Sequence, residues 1–210
     1  MLANRLFWLG LGSATLITVL FCWVSWTFFI EPMDAAVRTV NALESAFENG
    51  FPSTPRISAN AGVLVGQRNR GDRFVLFQTR VPVQAVLSGE RPGGGDLTVR
   101  SEVGVEAGIL CREPFQVNVA RGGQIATVVH PKVRFLAPAT PPEIHPEGVP
   151  WGALPERLQR KIERVVARAA EQKATQDGAL KEGMRRLHEQ LGGLAAPSGC
   201  VLVFEPAPAR

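Results

Sequence analysis

From Leu6 to Ile30 the chain carries no charged residue, and only Gly, Ser, Thr and Cys interrupt the apolar side chains. A helix needs about 20 apolar residues to cross a hydrocarbon core of about 30 Å. The run of 25 therefore predicts a transmembrane helix over 6–30, with a short tail over 1–5. A cleaved leader has a shorter apolar core, about 7–15 residues, and small residues at its exit. Here the exit reads Phe28-Phe29-Ile30-Glu31-Pro32-Met33, which is bulky. A core helix of a soluble protein would show a polar face, and this segment has none. Trp8, Trp23 and Trp26 suit the two membrane–water interfaces.

The next stretch, 31–50, has helical period. Ala36, Val40, Leu43 and Phe47 recur at spacings of four, three and four, the rhythm of one helix face. Asn49-Gly50 and Pro52 end it. Pro32 is expected to kink this juxtamembrane helix or to separate it from the span. The apolar stripe is expected to cover the sheet that follows; the sharper alternative is an oligomer contact between copies.

Over 51–205 the period becomes two, then helical again. Arg73–Leu87 is rich in β-branched and aromatic residues, and Pro82 should break it or put its end at a sheet edge. In Leu97–Ile109, the residues Leu97, Val99, Val103, Val105, Ala107 and Ile109 form a buried face, with Thr98, Arg100, Glu102 and Glu106 on a wet one. Gly122-Gly123 marks a hairpin turn, and Lys132–Leu136 a short strand. Residues 137–155 hold six prolines and read as a stiff connector. A helix then runs from Pro155 to about Lys173 with Leu158, Ile162, Val165 and Ala169 on one stripe. After Asp177-Gly178 a second helix carries Leu180, Met184, Leu187 and Leu191. Cys200–Phe204 is a final strand, and 206–210 a tail. The expected fold is α+β: an N-terminal transmembrane helix, then an antiparallel β-rich domain with a C-terminal helix pair and a closing strand.

The 210 residues are 45% hydrophobic, enough to bury a core, and the net charge of +4 is spread along the chain rather than concentrated. That excludes the basic patch of a dedicated nucleic-acid binder. Tyr is absent and there are three histidines, so donors for acid–base chemistry are scarce. His130, His145 and His188 show none of the local pairing that zinc ligands favour. "PGGGD" at Pro92–Asp96 opens no helix and reads as a β-connection, not a phosphate cradle. No catalytic motif and no cofactor signature occurs, and no small-molecule substrate is indicated. Two features remain. Arg157, Arg160, Lys161, Arg164 and Arg168 line one side of the first C-terminal helix, where lipid headgroups or an acidic partner could bind. Cys111 and Cys200 lie outside the span and are a candidate disulfide if the domain is exported. Arg5 before the span, against Glu31 and Asp34 after it, predicts a cytoplasmic tail and an exported domain.

The succession "VGVEAGIL", "FQVNVARGGQIATVVHPKVRF", helix pair and terminal "CVLVF" resembles the family catalogued as domain of unknown function 4230, over about Phe51–Glu205 and most specifically over Val103–Phe204. Where that family shows Gly-Ile-Asp and Leu-Pro, this chain has Gly108-Ile109-Leu110 and His130-Pro131. The resemblance implies a single N-terminal span ahead of an α+β domain in a bacterial envelope, and brings no activity. The expected role is thus a non-catalytic binding or scaffolding module in the inner membrane, its domain on the periplasmic side. The alternatives are an enzyme or enzyme subunit with a concealed site, and a homo-oligomer built on the juxtamembrane helix.

Overall fold

The computed structural model describes residues 15–59, 64–136 and 142–205, except for the side chain of Phe29. The tails at 1–5 and 206–210, the start of the apolar run and part of the proline-rich connector lie outside them. The chain forms two compact units: Met1–Asn69, Pro114–His130 and Gly192–Arg210 make the first, Arg70–Glu113 and Pro131–Leu191 the second.

In the first unit the apolar run is helical from Thr15 on and continues without a break to Gly50. A π turn at Trp26–Ile30 precedes the amphipathic part, Glu31–Gly50 (α1). Of the two outcomes expected at Pro32, a kink or a separation, the separation does not occur. A proline removes one helical hydrogen bond and crowds the carbonyl four residues back. The wider π turn absorbs this change, with the Glu31 N–H reaching five residues back to the Trp26 carbonyl. Ala36, Val40, Leu43 and Phe47 are fully buried. They pack toward β1 (Ser53–Thr54), β2 (Arg56–Ala59) and β6 (Gln116–Val119) of their own chain. The stripe covers a sheet, as expected, and is not open for the oligomer contact. Edge-to-face packing of Phe47, Phe51 and Phe115, with centroids 5.8–6.2 Å apart, closes this core.

The main sheet of this unit runs β10-β7-β6-β2, where β7 is Ile125–Val129 and β10 Val201–Glu205. The hairpin β6–β7 is antiparallel, but β2 pairs with β6 and β10 with β7 in parallel. The sheet is mixed, not antiparallel. Parallel neighbours need long crossovers, and here the connections from β2 to β6 and from β7 to β10 run through the second unit. A two-stranded ribbon joins β1 to β3 (Arg68–Asn69).

The second unit is built on β4 (Arg73–Leu87) and β5 (Leu97–Leu110), paired antiparallel along their whole length with one bulge between Val75 and Phe77. Pro82 sits inside β4 without breaking it. Strand β4 is an edge, and the Pro82 carbonyl accepts from Lys173 Nζ at 3.1 Å rather than from β5. A residue's N–H and C=O leave a strand on the same side, so the missing N–H also points away from the ladder. On its other side β5 pairs with β8 (Arg134–Leu136) and β9 (Glu143–Pro146). The described part of the connector is thus a strand and a 3-10 turn at Trp151–Ala153, with Pro146 at the strand end.

Helices α2 (Glu156–Gln176) and α3 (Ala179–Ala195) follow. Each buries a straight row of every fourth residue: Leu158, Ile162, Val166, Ala170 and Ala174 in α2; Ala179, Gly183, Leu187, Leu191 and Ala195 in α3. Such i+4 rows are the ridges that pack into grooves. The expected stripe strayed to Val165 and Ala169, at the rim of α2, and to the half-buried Leu180 and Met184 of α3. The α2 row joins Val81, Val83, Val99, Val103 and Val105 in one core, each large side chain contributing roughly 1.5–3 kcal/mol by burial. Gly183 lets α3 approach closely, since a Cβ there would lie 3.1 Å from Val133 and 3.3 Å from Ala107.

Candidate functional site: a helix joint and a cationic face

Between Leu16 and Met33 the helix displays an apolar collar. Leu16, Val19, Phe21, Trp23, Trp26 and Phe28 are each more than half exposed. It is the one helix among the described residues that is long and apolar enough to cross a membrane, with a mean hydropathy of 1.6 over its most apolar window. The collar ends where the first unit grips the helix. Pro32 leaves the Phe28 carbonyl without its helical donor, and Arg121 Nη2 donates to that carbonyl at 2.8 Å. The next residue of the β6–β7 turn, Gly122, donates its N–H to the Pro32 carbonyl at 3.2 Å. Thr39 Oγ1 then donates to the Gly123 carbonyl at 3.1 Å. Gly123 has φ +75°, and a Cβ on it would sit 2.5 Å from Thr39 Oγ1 and 2.8 Å from the Ala35 carbonyl oxygen. One hairpin turn thus holds the helix at three levels from Phe28 to Thr39. Sequence alone marked the turn and the proline but offered no signal that they meet.

Arg157, Arg160, Lys161, Arg164 and Arg168 of α2 are all exposed. Arg160 pairs with Glu156 at 3.2 Å, and Lys161 reaches Glu90. Arg157, Arg164 and Arg168 have no carboxylate partner among the described residues. The expected stripe is real but partly neutralised, leaving three arginines as its net charge. Beside α3, Lys132, Lys181, Arg185 and His188 rim a shallow open groove of 580 Å³ floored by Val133, Leu180 and Met184. Arg185 is held by Glu182 and Glu189. Hydrogen bonds from Arg185 and Arg186 keep the Glu182 carboxyl ionised down to about 2.

The structure leaves the cysteines unbridged. Cys111 and Cys200, the candidate disulfide pair, are both buried, and each thiol is free. Burial pushes both thiols up, and the Asp72 charge adds to this at Cys111. Neutral, buried thiols are poor nucleophiles. His130 is buried with its ring 6.3 Å from Phe204, edge to face, while His145 lies in β9 and His188 at the groove. No three His, Cys, Asp or Glu side chains converge as metal ligands would among the described residues. On the face of β5 expected to be wet, Glu106 is instead buried, its Oε2 3.9 Å from Arg73 Nη1.

Compared with protein-family models, curated proteins and solved structures, the chain matches none.

Proposed function

We propose that this protein is a single-pass, membrane-anchored binding or scaffolding module without catalytic activity. In this reading it stands in the inner membrane of a bacterial envelope, with its domain on the extracytoplasmic side. The observation that carries it is the exposed apolar helix running unbroken into a folded unit that grips it. A soluble domain gains nothing by displaying so many large apolar side chains, and a contiguous patch of this kind marks a contact with membrane or protein. The resemblance to the domain of unknown function 4230 family belongs to the same reading, since it implies one span ahead of such a domain.

The binding surface in this account is the outer face of α2, where Arg157, Arg164 and Arg168 favour an acidic protein partner. Charges of this sort act mainly on encounter and specificity, and they weaken with salt. The test is crosslinking in intact membranes followed by purification. A partner should co-purify with the wild type and be lost from R157E/R164E/R168E and at high salt. Equal capture by wild type and variant removes α2 as the docking face.

A further inference from the structure

Helix α3 carries two neighbouring rows of residues at four-residue spacing, and the core uses one of them. Ala179, Gly183, Leu187 and Leu191 are buried. The row beside it, Leu180, Met184 and His188, stays half-buried and lines the groove that Lys132 and Val133 wall on the other side. From Leu180 to His188 this row runs about 12 Å, at 1.5 Å per residue. Val133 is buried beside Gly183 and closes the floor between the helix and the chain leading into β8.

The rim carries positive charge that is left unbalanced. Lys132 and Lys181 are exposed, and neither has a carboxylate partner among the described residues. Lys181 stands in the first turn of α3, where the helix dipole disfavours a cation. The carboxylate next to it, Glu182, is committed to Arg185 and Arg186. Arg185 is itself held by Glu182 and Glu189 and adds little net charge. An acidic group on the rim would therefore meet an uncompensated ammonium on each wall, and at Lys181 the positive end of a helix as well.

Shape decides the class of occupant. Small-molecule sites are deep enough to bury about 70–90% of their ligand. This groove is shallow and open, so it supplies one wall and the occupant must bring the other. A partner helix does that: its own ridge of every fourth residue fits beside such a row, and an amphipathic helix laid on an apolar groove is a recurrent mode of recognition. A second copy of this chain has no such helix to offer among the described residues. The apolar row of α1 is buried in its own unit, the outer face of α2 is basic, and the helix from Thr15 to Ile30 has no acidic residue.

We propose that the groove beside α3 docks an acidic amphipathic helix of a partner protein. Apolar side chains of that helix sit on Val133, Leu180 and Met184, and its flanking carboxylates pair with Lys132 and Lys181. The site shares no residue with the arginine face of α2, and it rests on neither that face nor the membrane anchor.

The test is photocrosslinking in the native host, with p-benzoylphenylalanine placed at Met184 of the full chain. Placement at Gln84, exposed on β4, is the control for chance collisions. Adducts are purified under denaturing conditions, and the crosslinked segment is sequenced by mass spectrometry. The proposal predicts a Met184 adduct several-fold above that at Gln84. It should join a segment with apolar residues at helical spacing, flanked by Asp and Glu. K132E/K181E should lower the adduct several-fold, and K132R/K181R should keep it; urea unfolding checks that both variants fold like the wild type. A Met184 adduct no stronger than that at Gln84 overturns the proposal. So does an adduct to phospholipid, to a second copy of this chain or to a segment without the acidic pattern, and so does one that K132E/K181E leaves unchanged.

Discussion

Gly123→Ala probes the grip of the hairpin turn on the helix. The residue has φ +75°, so any side chain adds left-handed strain of about 1–2 kcal/mol. The new methyl would also meet Thr39 Oγ1 at 2.5 Å and the Ala35 carbonyl at 2.8 Å. Forcing one carbon into a packed contact costs about 1–3 kcal/mol, and displacing the Thr39 hydroxyl puts at risk a hydrogen bond worth about 1 kcal/mol. The expected destabilisation is about 3–4 kcal/mol. Gly122→Ala is the internal control. Its φ is +98°, but nothing lies within 4 Å of an added Cβ, so only backbone strain of about 1–2 kcal/mol applies. The assay is urea unfolding of the full chain in mild detergent, followed by far-ultraviolet circular dichroism, with the midpoint compared at constant slope. Gly123→Ala should cost about 2 kcal/mol more than Gly122→Ala. Combined with Thr39→Ala, it should cost less than the sum of the two single changes, because the nearest clashing atom is gone. Equal costs for the two glycines would refute a grip made at Gly123.

Three other outcomes follow from the structure. The Glu182 carboxyl, clamped by Arg185 and Arg186, should titrate near pH 2 by carbon-13 NMR. Because its folded value is depressed, the clamp helps the fold above the ordinary carboxylate range and is lost as pH falls toward 2; a midpoint near 4 contradicts the clamp. Cys111 and Cys200 should resist maleimide in the native protein and react fully in denaturant without any reductant; a requirement for reductant would mean a disulfide after all. Gly183→Leu should destabilise the second unit by about 2–3 kcal/mol by pushing α3 off Val133 and Ala107, whereas a neutral effect in urea unfolding would mean that α3 does not pack that closely.

The long apolar helix, both long strands, the hairpin and the helix pair were legible because each is written in a local pattern. Elements defined by distant partners were not. Nothing near Pro32 says that Arg121 will satisfy the carbonyl it orphans. Pro82 reads as a breaker until Lys173 shows which way its backbone faces. The parallel pairing of β2 and β10 depends on crossovers through another unit, which no short pattern encodes. β9 hid among prolines because a strand of four residues at a sheet edge tolerates Pro146 at its end. In α2, Val165 and Val166 both fit a helical stripe, and only the surface being packed selects Val166. The cationic face was visible as charge, but its neutralisation at Lys161 by Glu90 was not.

The claim on which the rest depends is that the N-terminal helix is a retained membrane anchor. Membranes from cells making the full chain with a C-terminal tag should be washed in alkaline carbonate, and the tagged protein digested for mass spectrometry. The account predicts that the protein stays in the pellet and still yields peptides from residues before Pro32. Release into the supernatant, or a tagged protein that begins after Ile30, would contradict it.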